Sequence, residues 1–364
     1  MSIEPDISAP KYEHLLVSDN ETTVQAYEDF RGSEGPILDV RSPAEFEAGR
    51  IPGARSVALF SDEERAEVGI AYKKKGREAA MDIGYGIAEP RQEELIKKAK
   101  RLADDDRVRI YCARGGLRSK SVAGLLTSAG IKVTRLEGGY KSYRQWVRET
   151  VSRPRRIQIL GGLTGTGKTD ILIALGELEE QVLDLEGLAN HRGSAFGGLG
   201  LPSQPTTQQY ENYVAKELIK QDPEETVWIE SESGRVGTCW VPEELYKQMK
   251  LAPTVEIKRP FEERLDILTE IYGSTDSNGL IDATKRIQKN LGGDRVKKAV
   301  EFIENDQLRE ACRVILDYYD RTYRESLKRR PVSVTRVEVG GLTDRDAAKK
   351  LKSISLTQFS NATV

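Results

Sequence analysis

The sequence predicts a two-domain α/β protein, each domain built on a mostly parallel sheet. Three observations carry this. Short apolar runs alternate with helix-patterned segments twice along the 364 residues, the alternation expected of parallel strands covered by helices on both faces. A glycine-rich turn follows an apolar strand in each set, "YCARGGLRS" from 111 and "GGLTGTGKT" from 161. Between the sets lies the polar, proline-bearing "RETVSRPRR" (148–156). The expected division is therefore a first domain over 1–147, a linker over 148–155, and a second domain over 156–364 with helical additions.

The elements follow in order. "PILDV" (36–40) reads as a strand and 42–49 as a short helix, with Ser42 as its cap and Pro43 in its first position. "IPGARSVAL" (51–59) supplies a turn and a second strand, whereas 61–88 is weakly periodic and reads as an elaborated loop. A helix over 90–103, strand "RVRIY" (107–111), helix 117–129, strand "KVTRL" (132–136) and a helix from 139 complete the first set. The second set opens with "RIQIL" (156–160), the glycine turn and a helix from 167. Strands are expected at 181–185, 226–230, 254–258 and 332–339, and helices at 207–220, 261–272, 282–291, 295–304 and 307–328. Tyr318, Tyr319 and Tyr323 fall on an apolar stripe and read as packing, and Trp146, Trp228 and Trp240 read as core.

Composition narrows the chemistry. With 38% hydrophobic and 31% charged residues the chain is an ordinary globular one. It shows no basic, hydrophobic leader and no apolar run of bilayer length, so a cytoplasmic protein without membrane contact is expected. Three widely spaced cysteines (112, 239, 312) exclude a disulfide framework and a CxxC metal site, and two histidines argue against a histidine-rich one. A net charge of -2 leaves nucleic acid to local basic runs, namely 73–77, 97–101, 153–156 and 328–330, each of which alone reads as solvated surface.

Cys112 stands at the end of a predicted parallel strand, where open α/β sheets bind ligands. Gly115 and Gly116 let backbone N–H groups turn toward an anion at the following helix, with Ser119 in the same loop. Such a setting lowers a thiol from about 8.5 and favours the nucleophilic thiolate. Arg114 and Arg118 would clamp an oxyanion. Cysteine phosphatases share the Cys112-x5-Arg118 spacing, and rhodanese-type sulfurtransferases have a similar loop. The upstream "ILDVRSPAEFEAGRIPGARSV" (37–57) resembles rhodanese domains, with Asp39 and Arg41 as a scaffold ion pair.

The second turn, Gly162-x4-Gly167-Lys168-Thr169, fits the P-loop spacing between a strand and a helix. Gly162, Thr164, Gly165, Thr166 and Gly167 bring N–H groups against a diphosphate, Lys168 offsets its charge, and Thr169 can ligate Mg2+. A carboxylate at a neighbouring strand end should assist. Asp184, Glu186, Glu230 and Glu232 are the candidates, with Asp184 or Glu230 favoured and Thr169 with Asp184 taken as the Mg2+ ligands. "NHRGSAFGG" (190–198) reads as a loop over the phosphate carrying His191 and Arg192, and Arg235 in "ESGRVG" is a further partner candidate.

The order of these motifs, together with "GREAA" (76–80) and "DLEGLANHRGSAFGG" (184–198), resembles the tRNA 2-selenouridine synthase family over about residues 37–270. That resemblance implies a transferase. It would attach a geranyl group from geranyl diphosphate to wobble 2-thiouridine of tRNA, then replace the geranylated sulfur with selenium from selenophosphate. Selenophosphate could be channelled from its own synthase. The resemblance implies no tightly bound cofactor and places Cys112 in the selenation step. Arg153, Arg155 and Arg156 at the junction are candidate tRNA contacts. The competing readings are a nucleotide-hydrolysing sulfurtransferase using Cys112, and an anion-sensing fusion without catalysis.

Overall fold

The structure, a computed structural model, describes residues 22–327 and 333–360; the basic run 328–330 and the side chain of Tyr323 lie outside the described residues. The chain divides after Glu149 into two compact units. The helix Gly139–Ser152 continues through most of the expected linker, so only 153–155 lack regular structure there. An apolar stripe through Tyr143, Trp146, Val147 and Val151, all buried, carries that helix past the polar residues that suggested a break.

The first unit is a five-stranded sheet of β1 (Thr23–Gln25), β2 (Ile37–Asp39), β3 (Arg55–Ser56), β4 (Arg107–Tyr111) and β5 (Lys132–Leu136). Its order is β1-β5-β4-β2-β3, and every pairing is parallel. Central β4 buries Val108, Ile110 and Tyr111, and the helix Leu117–Ser128 lays Val122, Ala123 and Leu126 on the sheet. In β4 the partly buried Arg107 and Arg109 alternate with the buried Val108 and Ile110, the period-two pattern that makes the strand legible. The capping box of Ser42 and Glu45 starts the helix Pro43–Ala48.

Residues 61–88 are not a loop. They form two helices, Asp62–Lys75 and Arg77–Ala88, joined at Gly76. Periodicity failed because the first helix buries almost none of its apolar residues, Ile70 and Tyr72 being exposed. Its start is nonetheless written locally. Glu64 N donates to Ser61 Oγ (3.2 Å) and Ser61 N donates to Glu64 Oε2 (2.8 Å), a capping box.

The second unit holds β6 (Arg156–Gly162), β7 (Gln181–Leu183), β8 (Thr226–Glu230), β11 (Thr254–Lys258) and β12 (Val334–Glu338) in the order β12-β11-β6-β8-β7, again all parallel. A short antiparallel hairpin of β9 (Arg235–Val236) and β10 (Cys239–Trp240) projects after β8. One core packs Leu160, Ile171, Leu175, Trp228 and Val255 around the sheet. A second joins the helices Phe261–Tyr272, Ser277–Arg286, Gly293–Glu304 and Leu308–Leu327, the helical additions. The helix expected over 282–291 begins earlier, at Ser277, because Asp276 caps it by accepting from Gly279 N (3.0 Å), and it breaks before Gln288–Leu291. The helices Glu243–Leu251 and Asp344–Ser360 have no counterpart in the sequence reading.

Candidate functional site

Each unit carries one site, and each is built on a strand-to-helix turn. In the first, Cys112 leaves β4 and its loop folds onto the start of the helix Gly139–Ser152. There Tyr140 N donates to Cys112 O (2.8 Å) and Lys141 N donates to Ala113 O (3.0 Å). The Cys112 side chain is only 3% exposed, among Val40, Ile110 and Val122. Its thiol donates to Ser119 Oγ (3.2 Å), which in turn donates to Gly116 O (3.1 Å). A polar line thus runs from the sulfur along the turn, at the edge of the core.

Arg118 is not a free clamp. It donates to both oxygens of Glu45, at 2.6 and 3.3 Å. Burial would raise the Glu45 carboxyl, yet Arg118 and the Ser42 N–H hold it below the ordinary carboxylate range. Glu45 is thus an acid beside the cysteine loop that the sequence reading did not place there, although its capping box marked it. Arg114 is exposed and makes no ion pair among the described residues, so it is the cation available to an incoming anion. Asp39 and Arg41 are scaffold, as expected. Arg41 pairs with Asp39 (2.6 Å) and donates to Gly49 O, Tyr111 OH donates to Asp39 Oδ2 (2.6 Å), and Tyr140 lies 3.9 Å under the guanidinium.

In the second unit β6 runs into the turn Leu163–Gly167 and then the helix Lys168–Glu177. Gly165 and Gly167 take the left-handed φ values +77° and +79° that the turn requires. Thr166 is buried, its hydroxyl on Leu163 O (2.8 Å). Lys168 Nζ donates to Gly162 O (3.1 Å), folded across the cradle it would share with a phosphate. Beneath the turn, Arg264 Nε donates to Thr164 O (2.9 Å) while its Nη groups engage both oxygens of the buried Asp320. This brace joins residues too far apart in sequence for spacing to reveal.

Four of the predicted partners, Glu186, His191, Arg192 and Glu232, line the same cavity as the P-loop. Thr169 Oγ1 donates to Glu186 Oε2 (3.0 Å). Burial and the adjacent Glu186 push the Glu232 carboxyl well above the ordinary range. Both carboxylates close on Gly193, whose φ is +65°; a Cβ there would stand 2.6 Å from Glu186 Oε1 and 2.7 Å from Glu232 Oε1. Burial lowers His191 from its ordinary value, and its buried Nδ1 has no hydrogen-bond partner among the described residues. Burial thus favours the neutral imidazole of His191, whose Nδ1 is open to a ligand.

Other predicted partners lie elsewhere. Asp184 caps the helix Leu185–Leu188 by accepting from Gly187 N (2.7 Å) and does not line the cavity. Glu230 is buried behind the site; its Oε1 accepts from Glu186 N (2.7 Å) and so sets Glu186 in place. Arg235 sits on the hairpin outside the cavity. Among the described residues no group of three or more His, Cys, Asp or Glu side chains is arranged to hold a metal ion. At the junction, Gln248 fixes the backbone of Arg153 and Arg155, Arg156 pairs with Glu224 (3.3 Å), and the Arg155 side chain is half-buried.

The cavity has a volume of about 960 Å³. Part of its lining is apolar and packs directly against the turn, a Cβ on Gly165 meeting Leu268 Cγ at 3.0 Å. Ile267, Leu268, Ile271 and Tyr272 come from the helix Phe261–Tyr272, and Tyr246, Met249 and Leu251 from the helix Glu243–Leu251. Tyr319, assigned to packing by sequence, also faces it and accepts from Ala195 N (3.2 Å).

Fold and sites together define a rhodanese-like domain followed by a P-loop domain, each presenting a glycine-rich turn between a strand and a helix. The rhodanese-like domain family matches residues 22–145, and the family described as the tRNA 2-selenouridine synthase AAA domain matches residues 155–341. The tRNA 2-selenouridine synthase of Shewanella piezotolerans is 38% identical over 282 residues, 76% of this chain and 72% of that protein. That of Sulfurovum sp. is 34% identical over 340 residues, 83% of this chain and 92% of that protein. The chain belongs to the tRNA 2-selenouridine synthase family.

Proposed function

We propose that this chain is a transferase that modifies tRNA, converting wobble 2-thiouridine to 2-selenouridine in two steps. In the first, the thiocarbonyl sulfur attacks C1 of geranyl diphosphate. The C–O bond breaks, diphosphate leaves with the electron pair, and the ring gives up its N3 proton. In the second, selenium from selenophosphate adds at ring C2, the C2–S bond breaks with loss of geranylthiol, and water cleaves the P–Se bond to leave phosphate. Alkylation turns a poor leaving group into a good one.

The observation that carries the first step is the P-loop cavity, in which Ile267, Leu268 and Ile271 give an apolar lining beside the phosphate cradle. A prenyl chain laid on such a lining gains about 0.8 kcal/mol per buried methylene. Lys168 and the P-loop N–H groups would take the diphosphate. Mg2+ would fit Thr169 and Glu186, one carboxylate and one hydroxyl beside phosphate oxygens, and would offset charge on the leaving group. The second step is assigned to the Cys112 turn with Arg114, on the family membership and on the polar line through Ser119.

The test uses a thiolated tRNA anticodon arm with geranyl diphosphate and selenophosphate. Lys168→Ala should lose geranyl transfer, and Cys112→Ser should accumulate the geranylated arm. A Lys168→Ala protein that geranylates at the normal rate sinks the assignment of the P-loop. Nucleotide turnover without change to the arm would favour the hydrolysing sulfurtransferase.

A further inference from the structure

The three tryptophans do not share one fate. Trp146 and Trp228 are buried as the sequence suggests, but Trp240 is 58% exposed. The β9–β10 register explains why. Val236 pairs with Cys239 and both are fully buried, so the partners Arg235 and Trp240 must point outward together. The Arg235 guanidinium stands 5.6 Å from the centre of the Trp240 ring and makes no ion pair among the described residues.

The hairpin is held firmly. Gln204 Oε1 accepts from Thr238 N (2.8 Å) and Thr238 Oγ1 (3.1 Å), and its Nε2 donates to Val236 O and Ala189 O, both at 3.0 Å. Val241 N donates to Gly234 O (3.1 Å) and Ser233 Oγ donates to Arg235 O (2.7 Å). An exposed aromatic alone carries little meaning. Here one is fixed on a rigid support with a free cation beside it. The support continues the cavity rim, since Ser231, Glu232 and Ser233 line the cavity. Arg235 follows Ser233 by two residues, at most about 7 Å along the chain.

We infer that Trp240 and Arg235 form a stacking platform for an unpaired nucleotide of the RNA substrate, at the mouth of the P-loop cavity. The inference rests on the proposed function. A ring of two fused aromatics offers its face to any base, and a guanidinium beside it suits the attached phosphate; this is how single-stranded RNA is held apart from duplex. Charge favours RNA over a protein partner, because the platform's one charged group is cationic and unpaired.

The test measures binding of a fluorescently labelled anticodon stem-loop to the full chain, with a duplex of the stem alone as control. Trp240→Ala should weaken stem-loop binding about 5- to 150-fold, and Trp240→Phe should keep most of it. Arg235→Gln should lower the salt slope by about one. Wild-type tryptophan emission should be quenched by the stem-loop and not by the duplex, and the quench should vanish in Trp240→Phe. Melting curves of each variant separate lost contact from lost folding, and the quench in the wild type needs no variant. Wild-type affinity in Trp240→Ala, a quench that survives in Trp240→Phe, or equal quenching by duplex overturns the inference while leaving the proposed function in place. Tight, Trp240-dependent binding by a protein that modifies nothing does the reverse.

Discussion

Replacing Arg264 by methionine tests how the P-loop is supported. The Arg264 and Asp320 side chains are 3% and 9% exposed, with Nη1 at 3.0 Å from Oδ2 and a second bond between Nη2 and Oδ1. Arg264 Nε also holds Thr164 O at 2.9 Å. Methionine fills much of the volume but leaves Asp320 buried without its cation, at a cost of about 3–5 kcal/mol. At about 2–4 °C per kcal/mol for a unit of this size, the melting transition should fall by about 6–20 °C. Scanning calorimetry of the full chain resolves the transition concerned. Adding Asp320→Leu to the same protein should recover most of the loss, since a buried pair replaced by apolar residues is close to neutral. Arg313→Met, which breaks an exposed pair with Glu262, is the control and should barely move the transition. A fall of less than about 2 °C in Arg264→Met, or a double variant no better than the single, would refute the argument.

Three further outcomes follow from the same geometry. Burial, with Asp184 and Glu186 nearby, raises the Glu230 carboxyl well above its ordinary 4.5. Its burial therefore costs nothing below that value and destabilises increasingly as pH rises toward the folded one; Glu230→Gln should gain melting temperature over wild type at pH 8 and not at pH 4, and an equal gain at both would contradict the assignment. Gly193→Ala drives a Cβ into the Glu186 and Glu232 carboxylates from a left-handed backbone; geranyl transfer should drop about 10- to 100-fold with the fold retained by circular dichroism. Glu45→Gln releases Arg118 from its carboxylate, so sulfate should bind the first unit about three- to tenfold tighter by calorimetry, and unchanged affinity would show that Glu45 does not compete with anions.

What could be read from sequence, and what could not, divides by the range of the interaction. The β4, β5, β8 and β11 strands match their predicted bounds because each places buried Val, Ile or Leu residues within five adjacent positions. The P-loop and cysteine turn were legible for the same reason, each being one unbroken segment whose glycines answer to local backbone geometry. The first of the two helices over 61–88 was missed because an exposed helix leaves no apolar period, and the second buries only the small residues Ala80 and Gly84.

Tertiary structure alone decided the rest. Arg118 meets Glu45 from 73 residues away and Arg264 meets Asp320 from 56, and no spacing rule reaches so far. Of the four strand-end acids the sequence favoured Asp184 or Glu230, yet the fold made the first a cap, buried the second behind the site and turned Glu186 and Glu232 into the cavity. Trp240 looked like core until a two-residue register turned it to solvent. Local backbone chemistry thus wrote the cradles, while the choice of which side chains face them depended on elements that only folding brings together.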